Sequence, residues 1–451
     1  MSRTLKLKKG LDIKLMGKAE LTKISVDKSE YYSLKPTDFH GFTPKLAVKV
    51  EHEVKAGTPL LFDKYRPEVK FVSPVSGTVV AINRGERRKL LEVIVKADAD
   101  TSYEAVPNIS ANSSAEEIKA SLLQGGLWPY IKQRPYDVIA NSDFTPKCVY
   151  ISGFDTSPLA PDMEYALQGE EKYLQAAVDV LSKLTSGGVY IGIDAKKKGS
   201  SIYENLNNVT VNYFSGKHPV GNVGVQLHHV NPINKGERVW TVSPQDAVII
   251  GRYVLEGKYD ARKTIAMTGS EMSEKVYCEV LPGTQIESLL KGRLRNEVKQ
   301  RIISGNVLVG TQIEENGYLG FYDNQITVIP EGDNFEFFGW MSLGMNKFSA
   351  SKTFLSNILP KKEYRLNANY HGEPRAFVVS EQYEKVLPMD ILPVFLLKAI
   401  LAEDIDKMEQ LGIYEIAPED MALCEFVCTS KTEVQDIVWK GIDLMIKELG
   451  Q

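Results

Sequence analysis

Cysteine is scarce, with four in 451 residues. That excludes a disulfide framework and fits a reducing compartment. Long hydrophobic runs are absent too. The most apolar stretch, 387–401, is interrupted by Pro388, Asp390, Pro393 and Lys398, whereas a span needs about 20 apolar residues. No apolar run of signal-peptide length follows the basic start MSRTLKLKKGLDIKL, so neither a signal peptide nor a transmembrane segment is expected. Neither charge dominates: 54 basic against 58 acidic residues give −4, and no nucleic-acid partner is implied. The distribution is uneven, however. Residues 1–100 hold roughly 20 Lys/Arg against roughly 13 Asp/Glu, read either as solvated faces or as a basic end that docks on something.

Phosphate-binding signatures are missing as well. There is no G-x-G-x-x-G and no G-x-x-x-x-G-K-[ST]. The glycine pair Gly125-Gly126 runs into Leu127-Trp128-Pro129-Tyr130. Phosphate needs unobstructed backbone N–H groups, and a Trp–Pro pair adds bulk and removes one of them. That loop reads as space-filling. Three of the six histidines fall in His218-Pro-Val-Gly221-Asn-Val-Gly224-Val-Gln-Leu-His228-His229. As neighbours in a strand, His228 and His229 would point to opposite faces; no H-E-x-x-H or paired C-x-x-C accompanies them, and no metal is expected. Cys424 and Cys428, at i,i+4, share a helix face but cannot complete a four-ligand site. No catalytic residue can be assigned.

A chain of this length with 43% hydrophobic and 25% charged residues predicts a multidomain soluble protein, α/β plus β. The first hundred residues are all-β in pattern, with strands over 46–50, 59–62, 70–72 and 78–82 and turns at Gly57 and Gly77. From 116 onward strands at 147–151, 189–193, 209–213 and 262–267 alternate with helices at 164–184 and 244–255, which implies a largely parallel sheet with ligands at its carboxyl ends. A unit over 275–330 combines strands at 276–280 and 325–329 with a short helix over 285–290. Helices over 390–411 and 432–449 follow, the second opened by a Ser430/Glu433 capping box.

E-V-K-A-G-T-P-L, then F-D-K, then S-P-V-S-G-T-V-V-A-I resembles a barrel-sandwich hybrid of the biotinyl and lipoyl carriers. Lys64 lies near the carriers' modified lysine, but on a longer, irregular tip, and is expected to be unmodified. P-G-T, a helix, I-x-G-N-V-L-V-G and T-V-I resemble an SLBB β-grasp-like module. The implied division is 1–100 barrel-sandwich, 113–270 Rossmann-like α/β, 271–332 SLBB, 333–380 linker and 381–451 C-terminal helical domain.

Six strings in order carry a wider resemblance: G-L-D-I near the start, 71–88, 218–229, 239–247, 386–393 and 422–428. The chain resembles the A-subunit family (NqrA) of the bacterial sodium-translocating NADH:quinone reductase, Na+-NQR. That implies a peripheral component on the cytoplasmic side of the inner membrane, beside the membrane-embedded and flavin-bearing subunits B to F. The complex would pass electrons from NADH to ubiquinone and export sodium. Flavins, the iron–sulfur centre and NADH would belong to other subunits, with ubiquinone the candidate ligand here and no redox activity in the isolated chain. Trp128, Tyr130, His218 and His228, with Gly221 and Gly224 of the same motif, are the candidates for a quinone or partner site. Rnf-complex C subunits and the flavin-binding component of complex I share the domain order. They differ by full cysteine clusters in the first and a glycine-rich loop in the second. The other readings are a non-catalytic docking scaffold and, from another class, a secreted envelope protein.

Overall fold

The computed structural model describes residues 2–107, 109–110, 112–295, 297–332, 336–359 and 362–450. Two small antiparallel sheets form the barrel-sandwich unit. One runs Tyr31–Leu34, Leu90–Ala97, Gly77–Arg84, Glu53–Val54; the other runs Pro44–Leu46, Pro59–Asp63, Lys70–Val72. Their inner faces bury Leu60, Leu61, Phe71, Val79 and Val93. Gly77 pairs with Ala97, and a Cβ at Gly77 would run into the Lys96 carbonyl. Gly57 turns at φ +99°, where a Cβ is costly. The strand expected over 46–50 is displaced, ending at Leu46. Lys64 is exposed on a tip that is tied down: Asp63 accepts from Tyr65 N and Arg66 Nε, and Arg66 Nη1 donates to Ile139 O of the next domain.

The second sheet has seven strands in the order Thr4–Lys6, Val209–Ser215, Val189–Asp194, Val149–Ser152, Val239–Thr241, Lys132–Arg134, Val138–Ile139. The first five run parallel, and the last two are added by antiparallel pairings. Helices Glu171–Lys183 and Pro244–Glu256 pack together on one face, where Gly251 lets the second approach the Tyr173 backbone closely. The sequence predicts one helix over 164–184. There are two, Met163–Ala166 and Glu171–Lys183, because the chain breaks at Gly169 with φ +86°. The Val223–Val230 helix covers the other face, against Val149–Ser152. His228 and His229 therefore lie on a helix, correcting the strand reading; the run V-G-V-Q-L-H-H-V is too short and apolar for periodicity to separate the two.

The third sheet runs Thr311–Ile313, Gln300–Ser304, Gln325–Pro330, Lys263–Thr268, Tyr277–Val280, Lys23–Ile24. Two pairings cut across the sequence division. The strand read at 262–267 pairs with Tyr277–Val280 and Gln325–Pro330, not with the α/β sheet. A strand buried on both faces reads alike in either setting. The first 24 residues lend short strands to the second and third sheets rather than to the barrel-sandwich.

The C-terminal helices are Tyr383–Val386, Pro393–Leu401, Ile405–Gln410, Pro418–Val427 and Val434–Leu449. The single helix expected over 390–411 is divided: Pro393 occupies the first turn, where it is tolerated, and Glu403 at φ 53° ends the segment. Ser430 does not cap the last helix. Glu433 holds the N-cap position without a side-chain bond, and Ser430 Oγ donates to Ala376 O instead. Among its described residues the 333–380 stretch carries two short 3-10 turns and an isolated bridge from Tyr364 to Leu15; 333–335 and 360–361 lie outside those residues.

Candidate functional site

Strand order reverses between Val149–Ser152 and Val239–Thr241, since the chain builds outward from the first in one direction and returns on its other side. Such a switch point leaves a crevice at the carboxyl ends of the strands. Here it is a cleft of about 230 Å³, bounded by 152–157, 218–223, 241–246, and by Asn306, Tyr322, Asn324 and Glu419 from the SLBB and helical units.

Tyr130 lines the inner end. Its ring stacks on Phe321 at 4.8 Å, and its hydroxyl is 2.8 Å from that of Tyr259; burial pushes its pKa well up. Behind it Asp246 and Lys263 pair at 2.7 Å, both buried. His218 is buried beside the cleft. Its backbone N–H donates to Asp12 Oδ1 at 3.0 Å and its Nδ1 lies 3.1 Å from Thr156 Oγ1. Desolvation lowers its pKa against the pull of Asp155 and Asp12, favouring neutral imidazole. Gly221 N donates to Thr156 Oγ1 at 2.9 Å, and a Cβ at Gly221 would sit 2.7 Å from Thr156 N. Thr156 thus ties the histidine loop to the end of the central strand.

Two amides complete the wall. Asn306 Oδ1 accepts from Leu308 N and Val309 N at 2.8 and 3.1 Å. Asn324 Oδ1 accepts from Gln245 Nε2 at 3.1 Å. With both oxygens engaged, each NH2 is left as a donor at the cleft. Asp137, Asp155, Asp246 and Glu419 line the cleft with Lys132, and Lys263 and Arg134 behind the wall pair with three of these carboxylates. Lys132 Nζ lies 3.3 Å from Asp137 and over the Tyr322 ring.

Below the rim, Arg134 is buried between three carboxylates. It reaches Asp137 at 3.4 Å, Glu419 at 2.5 Å and Asp420 at 3.1 Å. Desolvation pushes the Glu419 carboxyl up to about 7, with Asp420 and Asp137 adding to it and Arg134 opposing. The Glu419 side chain keeps 38% exposure, so desolvation there is partial.

Tyr130, His218 and Gly221 of the sequence candidates meet at this cleft. The other three sit elsewhere. Trp128 is core: its Nε1 donates to Ala140 O at 2.7 Å and its ring meets Trp240 edge-on. Gly224 is the seat of the Asp420 carboxylate, which a Cβ would strike. His228 fastens the C-terminal domain. Its Nε2 accepts from Asp390 N at 3.0 Å, so Nδ1 carries the proton toward Glu415 Oε2 at 2.8 Å. Neighbouring His229 reaches Pro388 O at 2.8 Å. Asn306 and Asn324 lie on loops, Lys132 on a three-residue strand and Glu419 in the first turn of a helix, and none of the four carries a spacing signal that sequence reasoning could use.

The Gly125-Gly126 loop is packed. A Cβ at Gly125 would meet the Tyr253 ring at 2.5 Å, and one at Gly126 would enter Val72. Cys148, Cys278, Cys424 and Cys428 are all buried free thiols. Tyr383 OH donates to Cys428 Sγ at 2.9 Å, while Cys424 lies within the Pro418–Val427 helix.

Three family models match in order: the NqrA N-terminal barrel-sandwich hybrid domain at 5–98, the NqrA second alpha/beta domain at 113–259 and the NQRA C-terminal domain, of SLBB type, at 264–315. Curated relatives named as the A subunit of the Na(+)-translocating NADH-quinone reductase extend the likeness. Those of Neisseria meningitidis and Rhodopirellula baltica are each 33% identical over 449 residues, covering 98% of this chain and 100% and 98% of their own. That of Yersinia pestis is 35% identical over 434 residues, covering 95% of this chain and 96% of its own. An NAD+-reducing [NiFe]-hydrogenase structure matches with TM-score 0.38 and 10% identity over 76% of this chain and 63% of its own, too distant to carry an argument. No described helix is long and apolar enough to cross a membrane. With three domain models in order and relatives of matching length at one-third identity, the chain belongs to the NqrA family, the A subunits of the Na(+)-translocating NADH-quinone reductase.

Proposed function

We propose that this chain serves as the NqrA component of a Na+-translocating NADH:ubiquinone oxidoreductase, on the cytoplasmic side of the membrane beside subunits B to F. In this reading it holds no flavin and no iron–sulfur centre, and the switch-point cleft receives the quinone headgroup. The carrying observation is the cleft's chemistry: Lys132, Arg134 and Lys263 are each held by a lining carboxylate, and two amide NH2 groups are left as donors. A phosphate-bearing cofactor would find these cations already engaged, and the packed Gly125-Gly126 loop offers it no cradle. A quinone is neutral, and its carbonyls need donors, which Asn306, Asn324 and the Lys132 ammonium can supply. Ligand pockets typically exceed about 300 Å³. A cleft of about 230 Å³ suits a single substituted ring whose tail runs out to the surface. Electrons would reach the quinone from cofactors on other subunits, so the isolated chain would show no NADH oxidation.

The assembly claim is tested by a pull-down from bacterial membranes with the full chain as bait. Recovery of flavin-bearing membrane subunits is expected. Recovery of none, from membranes that contain the complex, would remove the assignment.

A further inference from the structure

The segment between the third sheet and the C-terminal helices is apolar on its outside. Phe337 is 92% exposed, Ile358 73% and Leu343 71%, with Met341 also exposed. Isolated exposed apolar residues are ordinary; several along one short segment are not. The segment is anchored from within. Phe348 packs between Tyr364 and Phe426, at 5.8 and 6.2 Å between ring centres, so the exposed side chains stand out from a fixed base.

Charge distinguishes what covers them. From 337 to 362 the sequence holds four lysines and no carboxylate. Lys347 is paired with Glu336. Lys352 is exposed, and Lys362 Nζ reaches uncharged groups: Met345 O and Asn346 Oδ1, both at 2.5 Å, and the face of the Tyr364 ring. The basic amino-terminal strip lies alongside. Met16 N donates to Tyr364 O at 2.9 Å and Tyr364 N to Lys14 O at 2.8 Å. Along 13–19 odd residues are buried and even ones exposed, which turns Lys14, Met16 and Lys18 outward beside the apolar segment. In sequence, Glu336 and Glu363 flank the segment and Asp12 and Glu20 flank the strip.

Protruding aromatic and aliphatic side chains among lysines have the make-up of a segment that sits at the headgroup boundary of an anionic bilayer. Irregular backbone is tolerated at that depth, where water still reaches it, and not in the hydrocarbon core. We infer that the 337–359 segment, with the Lys14–Lys18 strip, is a lipid-contacting surface that seats the protein on anionic phospholipid. This surface is separate from the cleft and does not depend on what the cleft binds.

The test is co-sedimentation of the full chain with vesicles of phosphatidylglycerol and phosphatidylcholine, against vesicles of phosphatidylcholine alone. Binding to the anionic vesicles is expected, weakening as salt is raised. F337S/L343S/I358S is expected to lower it by roughly tenfold or more, and K14E/K18E by roughly tenfold on anionic vesicles. All five positions are exposed, and circular dichroism checks that each variant folds. Failure of the parent chain to sediment with anionic vesicles at low salt would overturn the inference, as would undiminished binding by the triple serine variant. If the parent ignores vesicles while the triple variant fails to join the membrane subunits, the surface belongs to a protein partner and the lipid reading is wrong. A failed pull-down with intact vesicle binding would remove the family-based assignment and leave this surface standing.

Discussion

Arg134 and Asp420, 286 residues apart in sequence, meet at 3.1 Å in the interior, guanidinium Nη1 to carboxylate Oδ2. The contact joins the antiparallel edge of the α/β sheet to the first turn of the Pro418–Val427 helix. Asp420 Oδ2 also accepts from Ala417 N at 3.0 Å. The C-terminal helical domain is thereby fixed over the cleft, with Glu419 on its rim.

R134M removes the buried cation of this cluster and leaves Asp420 without its partner. Breaking a buried pair from one side costs about 3–5 kcal/mol. Urea unfolding should show a loss of that size, partly recovered in R134M/D420N. An unchanged midpoint for R134M would show that the carboxylates do not need it.

G224A places a methyl group against the Asp420 carboxylate. Overpacking of this kind costs about 1–3 kcal/mol. The melting temperature should fall, and proteolysis should release the C-terminal helices earlier. Equal stability would mean that the Val223–Val230 helix can shift aside.

Stability should depend on pH through Glu419. Its carboxyl is raised from 4.5 to about 7 in the fold, so the folded chain holds a proton that the unfolded chain releases first. Its contribution is full below about 4.5 and is lost as pH rises toward about 7. Asp38, raised by burial from 3.8 to about 6, acts in the same sense over a lower window. The expected outcome is a urea midpoint that falls across this range in the parent and falls less in E419Q. Identical slopes in both would place the titration elsewhere.

Removing the cleft donors should weaken quinone binding without unfolding the chain. N306A and N324A each delete one NH2 group, and a hydrogen bond worth about 0.5–1.5 kcal/mol corresponds to roughly two- to thirteenfold in affinity for a short-chain ubiquinone. Isothermal titration reads this directly. Parent-like affinity in both variants would locate the ring away from these amides.

Much of the architecture is legible in the residues alone. Gly57 and Gly77 mark the sharp turns and close strand contacts of the first unit, and the helix predicted at 244–255 lies within one residue of Pro244–Glu256. The failures have physical causes. Two- and three-residue strands such as Thr4–Lys6 and Lys23–Ile24 are too short for any period to show. The fully buried strand Lys263–Thr268 carries no sign of which sheet it joins. At the site, the histidine motif leads to His218 and Gly221, whose loop the cleft requires. It also suggests Gly224 and His228, whose work is to seat Asp420 and hold the C-terminal domain. Those contacts span roughly 190 residues of sequence, and one sequence offers no means of pairing residues across that distance.

The most direct test of the central claim is a paired titration of the purified chain with short-chain ubiquinone and with flavin mononucleotide. A donor-lined cleft should give saturable micromolar binding of the quinone and none of the flavin. Stoichiometric flavin binding, or quinone uptake that never saturates, would contradict it.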